Sequence, residues 1–337
     1  HAHAGIPDSS TSRGLGDVYK RQVFMRIVQH TSQIRSEDRG SVAAVGNFDG
    51  VHLGHQKVIQ EASRIANGLK APLSVLTFEP HPRMLFQTDG APFRLTTSRS
   101  KSDVLTEIGV ELLIELPFDN AFSQLSAEDF VTKVLAEALG LKHVVCGYDF
   151  VFGHRRRGTP EILEHLCGDT GIGVSRMPAF SETDGAVYSS TRVRQCLTEG
   201  DPRGAAELLG RPWSFSSMVE TGDKRGRTIG FPTCNLRIVD LVQPAYGVYA
   251  VLVQLHNETD WLPGVANFGR RPTVNDRGAL FEVNLFDLDK DLYDQQLTIR
   301  IIDFIRPEMK FSGIDDLKTQ ITLDAMRAKE FLSEIRS

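Results

Sequence analysis

Gly46-Asn47-Phe48-Asp49-Gly50-Val51-His52-Leu53-Gly54-His55 follows a short apolar run at 41–45 and opens a helical stretch over about 55–67. Strand, glycine-rich turn and helix in that order form the first unit of a strand–helix alternation. Three glycines within nine positions let the backbone turn sharply and approach a ligand closely. A helix beginning there offers unpaired N–H groups and the positive end of its dipole to phosphate. His52 and His55 are three apart and can project from the same side of the first turn. On spacing alone the pair is equally open to capping, packing or a zinc site, although no third ligand stands at suggestive spacing.

Outward from this turn the alternation continues. Strand-like runs at 73–78, 112–116 and 143–146 are interleaved with helical stretches at 99–108 and 127–138. This predicts a parallel sheet covered by helices, with ligands beyond the carboxyl ends of its strands. Upstream, Met25 followed by Arg26-Ile27-Val28 reads as a natural start leading into a first strand. Residues 1–24 are polar and aperiodic and read as a disordered or non-native extension.

The character changes near Asp201-Pro202. A short helix at 205–209 gives way to β-rich runs at 214–220, 247–254, 280–286 and 297–304, separated by glycine, proline and charged turns. That spacing predicts a small antiparallel barrel. Ser312 is placed to cap a closing helix whose Ile314, Leu317, Ile321, Ala328, Phe331 and Ile335 recur at helical intervals and pack on the barrel. Two domains are therefore expected, at 25–200 and 201–337.

Composition narrows the function classes. At 41% hydrophobic and 24% charged the chain is globular, and no apolar run reaches the roughly 18–20 residues that span a bilayer. A net charge of −5 argues against a general nucleic-acid binder. Cys146, Cys167, Cys196 and Cys234 are scattered, which fits a reducing cytosol better than a disulfide framework or zinc site.

The opening segment resembles the H-x-G-H signature of the nucleotidyltransferase superfamily, in the form found in prokaryotic bifunctional riboflavin kinase/FAD synthetases. Three further segments match that family in order: Thr77-Phe78-Glu79-Pro80-His81-Pro82-Arg83, Gly147-Tyr148-Asp149-Phe150-Val151-Phe152-Gly153 and Tyr188-Ser189-Ser190-Thr191-Arg192-Val193-Arg194. The resemblance implies that His52 and His55 stabilise phosphate charge during adenylyl transfer, with Arg194 gripping the triphosphate. It also implies nucleotide or flavin contacts at Gly46, Phe48, Asp49, Gly50, Gly54, His81, Asp149, Ser189, Ser190 and Thr191. Taken alone, the 188–194 segment is an ordinary helix cap, and His154-Arg155-Arg156-Arg157 a solvated surface cluster.

A second glycine-rich stretch is Gly226-Arg227-Thr228-Ile229-Gly230-Phe231-Pro232-Thr233-Cys234-Asn235. Thr233 and Asn235 offer neutral oxygens that could orient Mg²⁺ held mainly by nucleotide phosphates. The stretch lacks the Gly-Lys-Ser/Thr ending of a Walker A loop. It resembles the riboflavin-kinase motif P-T-A-N, with Cys234 in place of alanine. Gly264-Val265-Ala266-Asn267-Phe268-Gly269-Arg270-Arg271-Pro272-Thr273 and Phe281-Glu282-Val283-Asn284-Leu285-Phe286 match the same family. The likeness implies Glu282 as catalytic base, Thr233 and Asn235 at the metal, and Gly226, Gly230 and Arg271 at nucleotide or flavin.

Asn284, Ser217 and Asp294 depart from the residues usual in the family and bear on flavin contacts and turns rather than on the reaction. The implied enzyme uses ATP with Mg²⁺, phosphorylates riboflavin, and carries FMN and FAD as substrate and product rather than as prosthetic groups. It needs no nucleic acid or membrane, and its oligomeric state is left open. Adenylyl or cytidylyl transfer to another acceptor, or a non-catalytic flavin-binding regulator, would leave the P-T-C-N segment and Glu282 without a role.

Overall fold

A computed structural model describes residues 25–87, 90–181, 185–221, 231–270, 279–288 and 290–336. The 1–24 extension and the candidate residues Gly226, Gly230 and Arg271 lie outside the described residues. Six strands, β1 (Arg26–Val28), β2 (Val42–Val45), β3 (Leu73–Glu79), β4 (Leu112–Pro117), β5 (His143–Gly147) and β6 (Gly173–Met177), form a parallel sheet in the order β1-β4-β3-β2-β5-β6. Every residue of β2 is buried, as its Val-Ala-Ala-Val sequence requires when both faces are covered. From β2 the chain moves to β3 and β4 on one side, then crosses to β5 on the other. The crevice beyond the carboxyl ends of β2 and β5 is thus the switch point where such sheets bind ligands.

Strand β6 was not expected, because Gly-Val-Ser-Arg-Met at a sheet edge lacks an apolar run. The stretch predicted as one helix over 127–138 is a turn of α-helix, Ala127–Asp129, continued by a π-helix, Phe130–Ala138.

The second half closes into an antiparallel barrel of β7 (Ser214–Glu220), β8 (Cys234–Arg237), β9 (Gly247–Leu255), β10 (Trp261–Arg270), β11 (Ala279–Leu285) and β12 (Gln296–Pro307), in the order β10-β11-β8-β7-β12-β9. Alternate residues fill its interior, where Phe268 stacks on Phe281 at 4.5 Å and Phe215 lies tilted against the same ring at 5.1 Å. Two register shifts along β12 let a 12-residue strand curve around the barrel. β8 and β10 were not anticipated: one is short, and Pro263 and Gly264 interrupt the other.

The closing helix, Ile314–Arg336, lays Ala325, Ala328, Phe331 and Leu332 on Val248, Ala250, Val265 and Ile302 of the barrel's outer face. Ser312 does not cap it: its hydroxyl donates to the Asp316 carboxylate, while the Leu317 N–H bonds Gly313 O at 3.2 Å. Ile314 is 58% exposed, so the packing stripe begins after it. Arg306 on β12 grips the buried Asp324 carboxylate with two nitrogens, at 2.9 and 2.7 Å.

Sheet and barrel share a core. Leu95, Val193, Leu197, Leu208 and Trp213 pack in one cluster with the barrel's interior residues. Trp213 Nε1 donates to Leu95 O at 2.9 Å, and the Val242 N–H to Arg94 O at 2.8 Å.

Candidate functional sites on the sheet and the barrel

The turn after β2 is built from left-handed residues: Phe48, Gly50 and Val51 have φ of 49°, 84° and 44°. Only glycine enters that region freely, and a β-branched valine there is an outlier. At Gly50 a Cβ would also fall 2.8 Å from Leu95 Cδ1, so packing demands the glycine as much as any ligand does. Side chains pin the turn from several directions. Thr77 Oγ1 donates to Asn47 O (3.1 Å), Ser190 Oγ to Asp49 O (2.8 Å), and the Gly50 N–H to Thr96 Oγ1 (3.1 Å). Asp49 Oδ1 accepts from the Leu95 and Thr96 N–H groups at 2.8 and 3.2 Å, and Oδ2 pairs with Arg194. The Arg194 Nε–H meanwhile donates to Phe93 O at 2.6 Å.

His52 is the N-cap of the Leu53–Leu69 helix, its Nδ1 accepting the His55 N–H at 3.2 Å. That bond fixes the tautomer of the neutral ring with its proton on Nε2, leaving a donor for a phosphate oxygen. The two imidazoles stack with centroids 3.6 Å apart. Phe48, 1% exposed, sets its ring edge against His55 at 5.2 Å, so its place is behind the histidine. Burial pushes the His52 pKa down to about 4; Asp49 opposes this, and Arg194 and Arg211 add to it. Burial also drives His55 well below its ordinary value, helped by His52, Lys101 and Arg194. The His55 Nδ1 atom is buried with no hydrogen-bond partner.

The other candidates gather round this pair to different degrees. His81, beyond β3, caps the Pro82–Phe86 helix and sets its ring 5.1 Å from Phe93; burial brings its pKa to about 4. Gly54 is buried between His52 and Tyr188, and Gly46 ends β2 with its N–H on Leu76 O at 3.1 Å. Ser189 caps the Ser190–Glu199 helix. Thr191 is exposed, as are Asp149 beyond β5 and Arg155, Arg156 and Arg157. Lys101 was missed: it is 3% exposed, with Nζ 3.4 Å from Thr77 Oγ1 and Glu115 acting on its charge. No sequence signal marked it, since a lysine in a polar helix reads as surface.

On the barrel, strand register aligns Asn267 (β10), Glu282 (β11) and Asn235 (β8) side by side on the outer face, while Phe281 and Val283 point inward. Thr233 precedes Asn235 by two residues, and Asn284 Nδ2 donates to Pro232 O at 2.6 Å, tying β11 to the P-T-C-N segment. A cavity on the barrel, which Asn267, Glu282 and Asn235 do not line, is bounded by Thr233, Cys234, Val283, Leu288, Lys290 and Tyr293. Among the described residues no three His, Cys, Asp or Glu side chains converge to hold a metal. Asn235, in register with the Glu282 carboxylate, and Thr233 two residues before it offer neutral oxygens of the kind that suit instead a hard cation arriving on nucleotide phosphates.

The family model described as FAD synthetase matches residues 34–192, and that described as riboflavin kinase matches 209–332. The bifunctional riboflavin kinase/FMN adenylyltransferase of Escherichia coli K12 is 40% identical over 308 residues, covering 91% of this chain and 97% of its own length. That of Bacillus subtilis is 37% identical over 309 residues, covering 90% and 96%. A crystal structure from Streptococcus pneumoniae, described as a macrolide-efflux protein, shares the fold at a TM-score of 0.79 and 32% identity, covering 89% of this chain and 97% of that one. Among the described residues no helix is long and apolar enough to cross a membrane. With both family models matched in sequence order and near-complete coverage of its relatives, the chain belongs to the bifunctional riboflavin kinase/FMN adenylyltransferase family.

Proposed function

We propose that this chain makes FMN from riboflavin and ATP at the barrel, and FAD from FMN and ATP at the crevice of the sheet, with domains at 25–200 and 201–337. The observation that carries the reading is the segregation of two constellations on two folds. Stacked imidazoles stand at a helix N-terminus on the sheet. A carboxylate lies between two asparagines on the barrel.

In the sheet domain an FMN phosphate oxygen attacks the α-phosphorus of ATP, the α–β bridging bond breaks, and pyrophosphate leaves. The Nε2–H of His52 and the open N–H groups of the first helical turn meet the charge on the phosphates. The orphaned Nδ1 of His55 gains a partner when the nucleotide arrives. Arg194, held at one end by Asp49 and Phe93 O, keeps its remaining N–H groups for the triphosphate.

On the barrel the Glu282 carboxylate takes the proton of the riboflavin 5′-hydroxyl as that oxygen attacks the γ-phosphorus and ADP departs. Thr233 and Asn235 would hold the nucleotide's magnesium through oxygen, and that ion would supply positive charge near the phosphates. The four free thiols suit a reducing compartment, and we place the enzyme in the cytosol.

The test assays each half-reaction on His55→Ala. FAD formation from FMN should fall about 10²–10³-fold, as for loss of an oxyanion donor, with FMN formation from riboflavin within about twofold of wild type. Equal loss of both rates would overturn the assignment to separate sites.

A further inference from the structure

The strained turn that carries His52 is held from outside the sheet. Val51 sits at φ 44° with its side chain fully buried. Such conformations are costly for a β-branched residue and persist only where surrounding groups over-determine them. The carbonyls of Gly50 and Val51 are met by Arg211, in the segment that leads into β7. Its Nη2 donates to Gly50 O at 2.7 Å, and its Nη1 to Val51 O and Leu209 O, each at 3.2 Å. Gln56 Nε2 closes the same junction, donating to Val51 O and Leu209 O at 3.0 Å.

Among the described residues the hydrogen bonds of Arg211 go to these three carbonyls and to no carboxylate. Gly210 makes the approach possible: its φ is 72°, and a Cβ there would lie 2.7 Å from Leu53 Cδ2, on the first turn of the histidine helix. The peptides that Arg211 grips are those immediately before His52. Any rotation of the 50–51 unit re-aims the imidazole and the helix N-terminus together.

We propose that Arg211 is a positioning residue for adenylyl transfer, supplied across the domain junction, whose guanidinium clamps the left-handed 50–51 peptides so that His52 and the first helical turn face the nucleotide phosphates. This rests on the assignment of adenylyl transfer to the 46–55 turn. It makes the sheet's catalytic geometry depend on a residue beyond the sheet, while the barrel chemistry does not draw on it.

The experiment uses full-length Arg211→Ala and Arg211→Lys. Both half-reactions are followed at saturating substrate, together with KM, thermal melting and rescue by free guanidinium. In both variants kcat for FAD formation should fall about 10- to 100-fold, the scale of a misplacement near 1 Å, with KM for FMN moving less than about threefold. FMN formation should stay within about twofold, which also reports that the chain is folded. Guanidinium should restore FAD formation severalfold in Arg211→Ala and leave Arg211→Lys low, because an ammonium cannot serve two carbonyls in a fixed fork.

FAD formation within about threefold of wild type in Arg211→Ala overturns the proposal, as does parallel loss of both activities without guanidinium rescue. Should the alanine variant not fold, Arg211→Lys decides: selective loss of FAD formation supports the clamp, and unchanged or jointly lost activities refute it. If His55→Ala keeps FAD formation, the turn's assignment fails instead, whatever Arg211 does.

Discussion

Replacing His52 by Asn and titrating the enzyme with isotope-labelled histidine tests how the buried pair is poised. The His52 ring signal, assigned by its absence in the variant, should stay unmoved from pH 8 down to about 5 and titrate only near about 4, where burial places it. Displacement from an ordinary 6.5 to about 4 corresponds to about 3 kcal/mol against charging the ring in place. The sign for stability follows from the depressed folded value. The unfolded chain takes up a proton near 6.5 and the folded one only near 4. The contribution of His52 is thus fully present above 6.5 and is lost as pH falls toward 4. Asn keeps the helix cap without titrating, so the variant should lose about 3 kcal/mol less between those limits, measured by denaturant unfolding at each pH. Saturating ATP should raise the wild-type midpoint, since phosphate charge favours the imidazolium. A midpoint near 6 in the free enzyme would refute the claim that the first helical turn holds a neutral, desolvated donor.

On the barrel, Glu282→Gln should lower FMN formation from riboflavin by about 10²–10⁴-fold and leave FAD formation from supplied FMN within about twofold; unimpaired kinase turnover would remove Glu282 as base. Asp324→Ala should destabilise the barrel by about 3–5 kcal/mol because it strands the Arg306 guanidinium, and adding Arg306→Ala should recover part of that loss in unfolding measurements. Trp213→Phe keeps an aromatic side chain but orphans Leu95 O, and should lower stability by about 1–3 kcal/mol on thermal melting. Gly50→Ala forces a Cβ to 2.8 Å from Leu95 Cδ1 at φ 84°, and should reduce FAD formation with the kinase rate unchanged.

Much of this was legible residue by residue. Apolar runs at 41–45, 73–78 and 112–116 marked β2, β3 and β4, because a strand buried on both faces is mostly apolar along its length, the buried polar members of β3 and β4 being Ser74, Thr77 and Glu115. The 46–55 turn announced itself by its glycines and paired histidines, and period-two alternation in a strand over 281–286 puts Glu282 and Asn284 on the face opposite Val283 and Leu285. Where a segment draws its stability from neighbours rather than from its own pattern, the signal vanished. Edge strand β6, short β8 and the Pro- and Gly-containing β10 form because partners supply the ladder.

Sequence by itself determined two folds in order and which residues stand as candidates at each site, since periodicity and glycine placement are local properties. Tertiary structure alone decided how those residues are held. Asp49 is spent on Leu95, Thr96 and Arg194. Phe48 backs His55, and Lys101 is buried beside Thr77. Arg211 reaches Val51 and Gly50 across 160 and 161 residues of chain. The reason is physical: a backbone carbonyl carries no side-chain identity, so a guanidinium that clamps one leaves no mark in the residues it serves.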